Sequence, residues 1–141
     1  FKFSRFHKDK LINNYYANKI KKNWIENYFY GKRGDELIIA ELDKKIVGFG
    51  AAAKGNTLLN FCEIGTEFLD YVVDNSPHKQ GLYLPGTHIP IVNPQKIVET
   101  KPDYLVILPW NLENEVIDQT SFIREWGGKH VTLIPEVRIL T

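Results

Sequence analysis

Gly48-Phe49-Gly50-Ala51-Ala52-Ala53 leaves a short apolar run and enters a helix-forming one, the setting in which G-x-G-x-x-G/A spacing has chemical meaning. In that pattern Gly48 allows a tight turn, Gly50 lets backbone approach a phosphate, and Ala53 permits close packing of helix on strand. Free N–H groups at the helix start then hold the anion. Asp74 closes the next apolar run 26 positions after Gly48, where a carboxylate can accept hydrogen bonds from ribose hydroxyls. Lys54-Gly55-Asn56 follows the glycine string directly, and a lysine in the first turn of a helix opposes the macrodipole. A bound phosphate compensates that lysine on one reading, and a nearby acid does so on the other. A ligand-free glycine turn is the competing account of the whole string.

Two further loops complete the candidate crevice. Lys79 to His88 follows the second strand, and Pro109-Trp110-Asn111 follows the most strand-like run in the chain. Loops at the carboxyl ends of strands line the ligand crevice of an open parallel sheet. Trp110 offers a stacking surface for a base or sugar ring, or simple packing. His88, beside Thr87, is either a proton-transfer group or structural, since no partner for it is visible. Cys62 reads as buried mid-helix and inert. His7 and His78 lack metal-ligand spacing, and a lone cysteine excludes a disulfide framework and a cysteine-built zinc site.

The elements that must position these residues follow from the apolar pattern. Residues 45–49 read as a strand, Thr57 to Ile64 as a helix ending at Gly65, and Phe68 to Val73 as the next strand. Residues 75–86 read as a long loop, His88 to Ile91 as a short edge strand, and Pro94 to Thr100 as a short helix. Tyr104 to Leu108 is a strand; Asn111 then caps a helix whose first turn carries Glu113 and Glu115 and whose inner stripe is Leu112, Val116, Ile123 and Trp126. Gly127-Gly128 ends that helix, and His130 to Ile134 is a last strand. The alternation predicts an α/β, Rossmann-like open sheet of about five strands, mainly parallel, over residues 43–141.

Residues 1–42 differ in character. Through Arg33 nine Lys/Arg stand against two Asp/Glu, while Tyr16, Ile20, Trp24 and Tyr28 share one face of an expected long helix. Such a basic aromatic helix suits nucleic acid or membrane, or docking on its own or a neighbouring domain. The whole chain of 141 residues is nearly neutral at +1, so bulk charge favours no nucleic-acid partner. No apolar stretch nears the ~20 residues of a membrane span, and no signal peptide is apparent, so the expected location is cytoplasmic. Beginning at Phe1 and holding no methionine, the chain reads as a piece of a longer protein.

From Val47 through Asn60 the chain resembles the opening of the C-terminal domain of sugar-nucleotide (deoxysugar) C-methyltransferases that depend on S-adenosylmethionine. Lys79-Gln80-Gly81, Leu84 to Ile91, Lys101 to Tyr104, Pro109 to Leu112, Glu125 to Gly128 and Ile134-Pro135-Glu136 continue the likeness in order. The resemblance implies a three-part enzyme with a zinc-binding domain, a central domain for S-adenosylmethionine, and a terminal domain helping to hold the nucleotide-linked sugar. It implies methyl transfer to a carbon next to a ketone, with the acid/base residues mainly in the central domain. This chain then supplies the last part alone, with no catalytic base and no metal ligand assigned. Its expected substrate-binding residues are Gly48, Gly50, Ala51, Lys54, Gly55, Asn56, Asp74, Lys79, Thr87, His88, Trp110 and Asn111. A nicotinamide-dependent oxidoreductase domain is the alternative, supported by the glycine string and Asp74.

Overall fold

Ile46–Phe49 contains no residue that needs water, and as β1 it is buried along its whole length. Most of Tyr104–Ile107 (β4) and Lys129–Thr132 (β5) is buried as well, as expected of parallel strands covered on both faces. The computed structural model describes residues 44–140. The expected basic helix with Tyr16, Ile20, Trp24 and Tyr28 lies outside them.

The remaining elements are α1 (Ala53–Phe61), β2 (Val72–Val73), β3 (Ile91–Val92), α2 (Gln95–Thr100), α3 (Glu113–Gln119) and β6 (Arg138–Leu140). Two 3-10 helices, Trp110–Leu112 and Ser121–Trp126, flank α3. The sheet order is β3-β2-β1-β4-β5-β6, with β1 to β5 parallel and β6 antiparallel to β5. This is an α/β fold with a mainly parallel Rossmann-like sheet. Alternation along the strands divides the core. Val47, Phe49, Tyr71, Val73, Leu105 and Ile107 pack with Ile97 of α2, Val116 of α3 and Ile123.

The opposite face receives α1. Gly55 sits so close to the end of β4 that an added Cβ would lie 2.6 Å from Leu108 Cβ and 3.3 Å from its Cα. A helical Gly→Ala change normally gains about 1 kcal/mol. Overpacking against a backbone that cannot retreat costs about 1–3 kcal/mol. Gly55→Ala is therefore expected to lower the urea midpoint, with a net loss of up to about 2 kcal/mol. A raised midpoint would mean that α1 can move away from the strand.

Several boundaries differ from those expected. α1 begins four residues before Thr57, because the chain turns into helix immediately after the glycine string. Cys62 is the C-cap of α1 and only half-buried, not mid-helix; desolvation raises its thiol pKa above the ordinary value. The second strand shortens to two residues, since the amides of Phe68 and Leu69 donate to Gly65 O at 3.0 and 3.1 Å and form a turn. Asn111 lies inside a 3-10 helix and caps nothing; Leu112 precedes α3 and is exposed. The helix expected through Trp126 breaks at Thr120, while β6 is an element the apolar pattern does not announce.

Candidate functional site

The sheet order reverses between β1 and β4, and a crevice opens over the carboxyl ends of strands at such a switch. Gly50 leaves β1 with a φ of 86°, a left-handed conformation that glycine adopts freely. An added Cβ there would lie 2.7 Å from Pro109 Cδ, so the loops after β1 and β4 touch. Gly48, the expected turn residue, is instead buried within β1, where a Cβ would come 2.8 Å from Val72 Cγ2. Ala53 is exposed, and Gly55 makes the close helix–strand contact in its place. The fingerprint roles thus fall two residues later than expected, as Gly50-x-Ala52-x-x-Gly55. β1 runs as far as Phe49, so the turn cannot begin before Gly50.

Ala52 precedes α1 in an extended conformation and no side chain caps the helix. The Asn56 amide donates to Ala52 O at 2.9 Å, leaving the amides of Ala53, Lys54 and Gly55 without intrahelical acceptors. Lys54 is exposed in this turn, and no ion pair reaches it among the described residues. Asn56 is partly engaged: Asn60 Nδ2 donates to its backbone O at 2.8 Å and approaches its Oδ1 at 3.3 Å.

Asp74, expected to face ribose hydroxyls, is 8% exposed and bonded within the protein. Its Oδ2 accepts from the Ala51 amide at 2.7 Å and from Lys79 Nζ at 3.1 Å, and its Oδ1 accepts from the Ser76 amide at 2.8 Å. Burial alone would raise this carboxyl, but the Ser76 and Ala51 amides and the Lys79 ammonium outweigh it and hold the group below its ordinary value. Lys79 also donates to Ala51 O at 3.1 Å.

Trp110 and Asn111 line a separate cavity of about 410 Å³ with Asn114, Ile134 and Arg138. Arg138 Nη2 donates to both Glu113 carboxylate oxygens, at 2.8 and 3.2 Å, joining β6 to the start of α3. Thr87 and His88 lie apart from both groups. They sit near the tip of a hairpin in which Tyr83 bridges Pro90, and His88 has a φ of 56°. Asn60 Nδ2 ties that hairpin to α1 through Pro85 O at 3.0 Å. At 1.5 Å per residue, Asn60 lies about 9 Å along the helix from Lys54. The structure therefore gathers Gly50, Ala51, Lys54, Asp74 and Lys79 around one turn and puts Trp110 and Asn111 beyond Pro109.

Residues 37–135 match the family model described as the C-methyltransferase C-terminal domain. The chain belongs to this family. C-methyltransferase NovU from Streptomyces niveus is 38% identical over 98 residues, covering 70% of this chain and 23% of NovU. The chain thus spans less than a quarter of that relative's length. A solved structure, UDP-D-quinovosamine 4-dehydrogenase from Vibrio fischeri, is similar with a TM-score of 0.48 and 18% identity over 70% of this chain and 93% of that one.

Within this C-methyltransferase C-terminal domain, two structural ties escaped the sequence reading. Asn60 had a signal, the Asn56/Asn60 pair at i,i+4 spacing, which points one amide at the other. Arg138 had none, because its partner is reached only through β6. No helix among the described residues is long and apolar enough to cross a membrane.

Proposed function

We propose that this domain holds the nucleotide-linked deoxysugar of a cytoplasmic, S-adenosylmethionine-dependent C-methyltransferase, with the diphosphate over the N-terminus of α1. The observation that carries this reading is Lys54, an exposed cation beside three amides without intrahelical acceptors at the dipole's positive end, with no acid paired to it among the described residues. Gly50 and Ala51 shape the turn, Gly48 and Gly55 act through close packing, and Lys79 braces Ala51 from the neighbouring loop. Trp110 offers a face for the ring of base or sugar, and Asn111 offers amide hydrogen bonds beside it. Asn56, Thr87 and His88 stand further back, on the α1–hairpin tie.

S-adenosylmethionine itself does not fit these residues. Its sulfonium and ammonium outweigh its one carboxylate, whereas Lys54 and the free amides favour a more highly charged anion such as a diphosphate. Asp74 is already engaged by two amides and an ammonium and has little left for a ribose diol. In this reading the methyl donor and the acid/base groups belong to other parts of a longer enzyme. The same engagement of Asp74 counts against the nicotinamide alternative.

Calorimetry with a nucleoside diphosphate, its sugar conjugate and S-adenosylmethionine tests the proposal. A charge-assisted contact is worth about 1.5–3 kcal/mol, so Lys54→Ala should weaken diphosphate binding about tenfold to a hundredfold. Its melting temperature should hardly change, because the side chain is exposed. Unchanged affinity in Lys54→Ala would remove the lysine from the site. Micromolar binding of S-adenosylmethionine would make this the donor domain instead.

A further inference from the structure

In a dinucleotide-binding fold, the acid closing the second strand faces the ribose. Here its hydrogen bonds are directed inward. The Ala51 peptide unit is held on both sides, its N–H by Asp74 Oδ2 and its C=O by Lys79 Nζ, while Asp74 Oδ2 also holds Lys79. Gln80 Nε2 fastens Asp74's own carbonyl at 2.9 Å, and the Ser76 amide occupies the other carboxylate oxygen. Three of the roughly four acceptor positions of a carboxylate are used, so a ribose diol would have to displace an internal partner. The gripped residue lies between Gly50, with its φ of 86°, and Ala52, the uncapped residue that begins α1.

We propose that Asp74 is a positioning residue: with Lys79 it clamps Ala51, fixes the turn that presents the α1 amides, and makes no contact with a ribose. This rests on the diphosphate reading above and adds a specificity to it. The site recognises the phosphates of its ligand, and the acid contributes equally whether or not a sugar is attached to them.

The test is Asp74→Asn in the full chain, titrated with inorganic diphosphate, which has no ribose, and with uridine diphosphate, which has one. Asparagine keeps the shape and one acceptor oxygen but cannot hold two amides and an ammonium together. Removing a negative charge beside an anion site should by itself strengthen binding. A loss therefore reports disordered geometry. The expected result is a loss of about fivefold to tenfold for both ligands alike, a shift of roughly 1–1.4 kcal/mol, with faster hydrogen exchange at the Ala51 amide. Loss for uridine diphosphate alone would make Asp74 a ribose ligand and overturn the inference. So would unchanged or tighter binding of both, or an Ala51 amide that exchanges no faster than in the parent. If the parent binds neither ligand, the diphosphate site itself is wrong, and the positioning role falls with it.

Discussion

Gly50→Val is expected to lower folding stability by about 2–6 kcal/mol, the sum of two separate costs. Gly50 has a φ of 86°, and forcing a β-branched residue into that region costs about 1–3 kcal/mol. The new side chain must also displace the Pro109 ring, whose Cδ and Cγ lie 2.7 and 2.8 Å from the position of an added Cβ. Overpacking of this kind costs about a further 1–3 kcal/mol. For a unit of this size the melting temperature should fall by about 10 °C or more.

Gly127 separates the two costs. Its φ is 81°, yet nothing lies within 4 Å of an added Cβ. Gly127→Ala should therefore show the backbone cost alone, and Gly50→Ala that cost plus the contact with Pro109. A Pro109→Ala change combined with Gly50→Ala should recover part of the difference, since the pair is in contact. If Gly50→Ala and Gly127→Ala prove equally destabilising, the loops after β1 and β4 do not meet as described.

The same position shows how far the site was legible before the fold was known. Gly48-x-Gly50-x-x-Ala53 satisfies the G-x-G-x-x-G/A pattern, whereas Gly50-x-Ala52-x-x-Gly55 puts alanine in its second glycine position, so residue identity alone favours the frame that the fold does not use. The choice depends on where β1 ends and which glycine takes a positive φ, and both are set by pairing with β2 and β4. Apolar runs such as Leu105-Val106-Ile107 were readable because burial on both faces leaves them no polar alternation. Phe68 and Leu69 looked equally strand-like, yet the local turn onto Gly65 O claims their amides first. β6 is three residues long and exists only through its pairing with β5, so no local pattern reveals it. Asp74 was found by position, but its role was not, because that depends on where Ala51 and Lys79 lie in space.

A second large effect should appear on acidification, through His130. This β5 side chain is fully buried, with Nε2 2.8 Å from Thr120 Oγ1. Thr120 donates its hydroxyl proton to Val116 O, so its oxygen accepts from the histidine and the imidazole proton is assigned to Nε2. Nδ1 is then a bare lone pair with no hydrogen-bond partner among the described residues. Protonation would place charge in the core with no acceptor for the new N–H. Burial, with a smaller contribution from the Arg124 cation, lowers the pKa from 6.5 to about 4. Between those values the unfolded chain binds the proton and the folded one does not, so stability falls as pH falls. At 1.36 kcal/mol per pH unit the loss reaches about 3 kcal/mol by pH 4. Asp74 and Asp103, whose carboxyls are held below their ordinary values, lose their contributions only at still lower pH. His78 and His88 are exposed and lack this burial. Urea unfolding from pH 7.5 to 4.5 should show the slope in the parent. His130→Leu should start about 1 kcal/mol lower for its lost hydrogen bond, yet run flat across that window. A variant that keeps the parent's slope would place the acid sensitivity elsewhere in the chain.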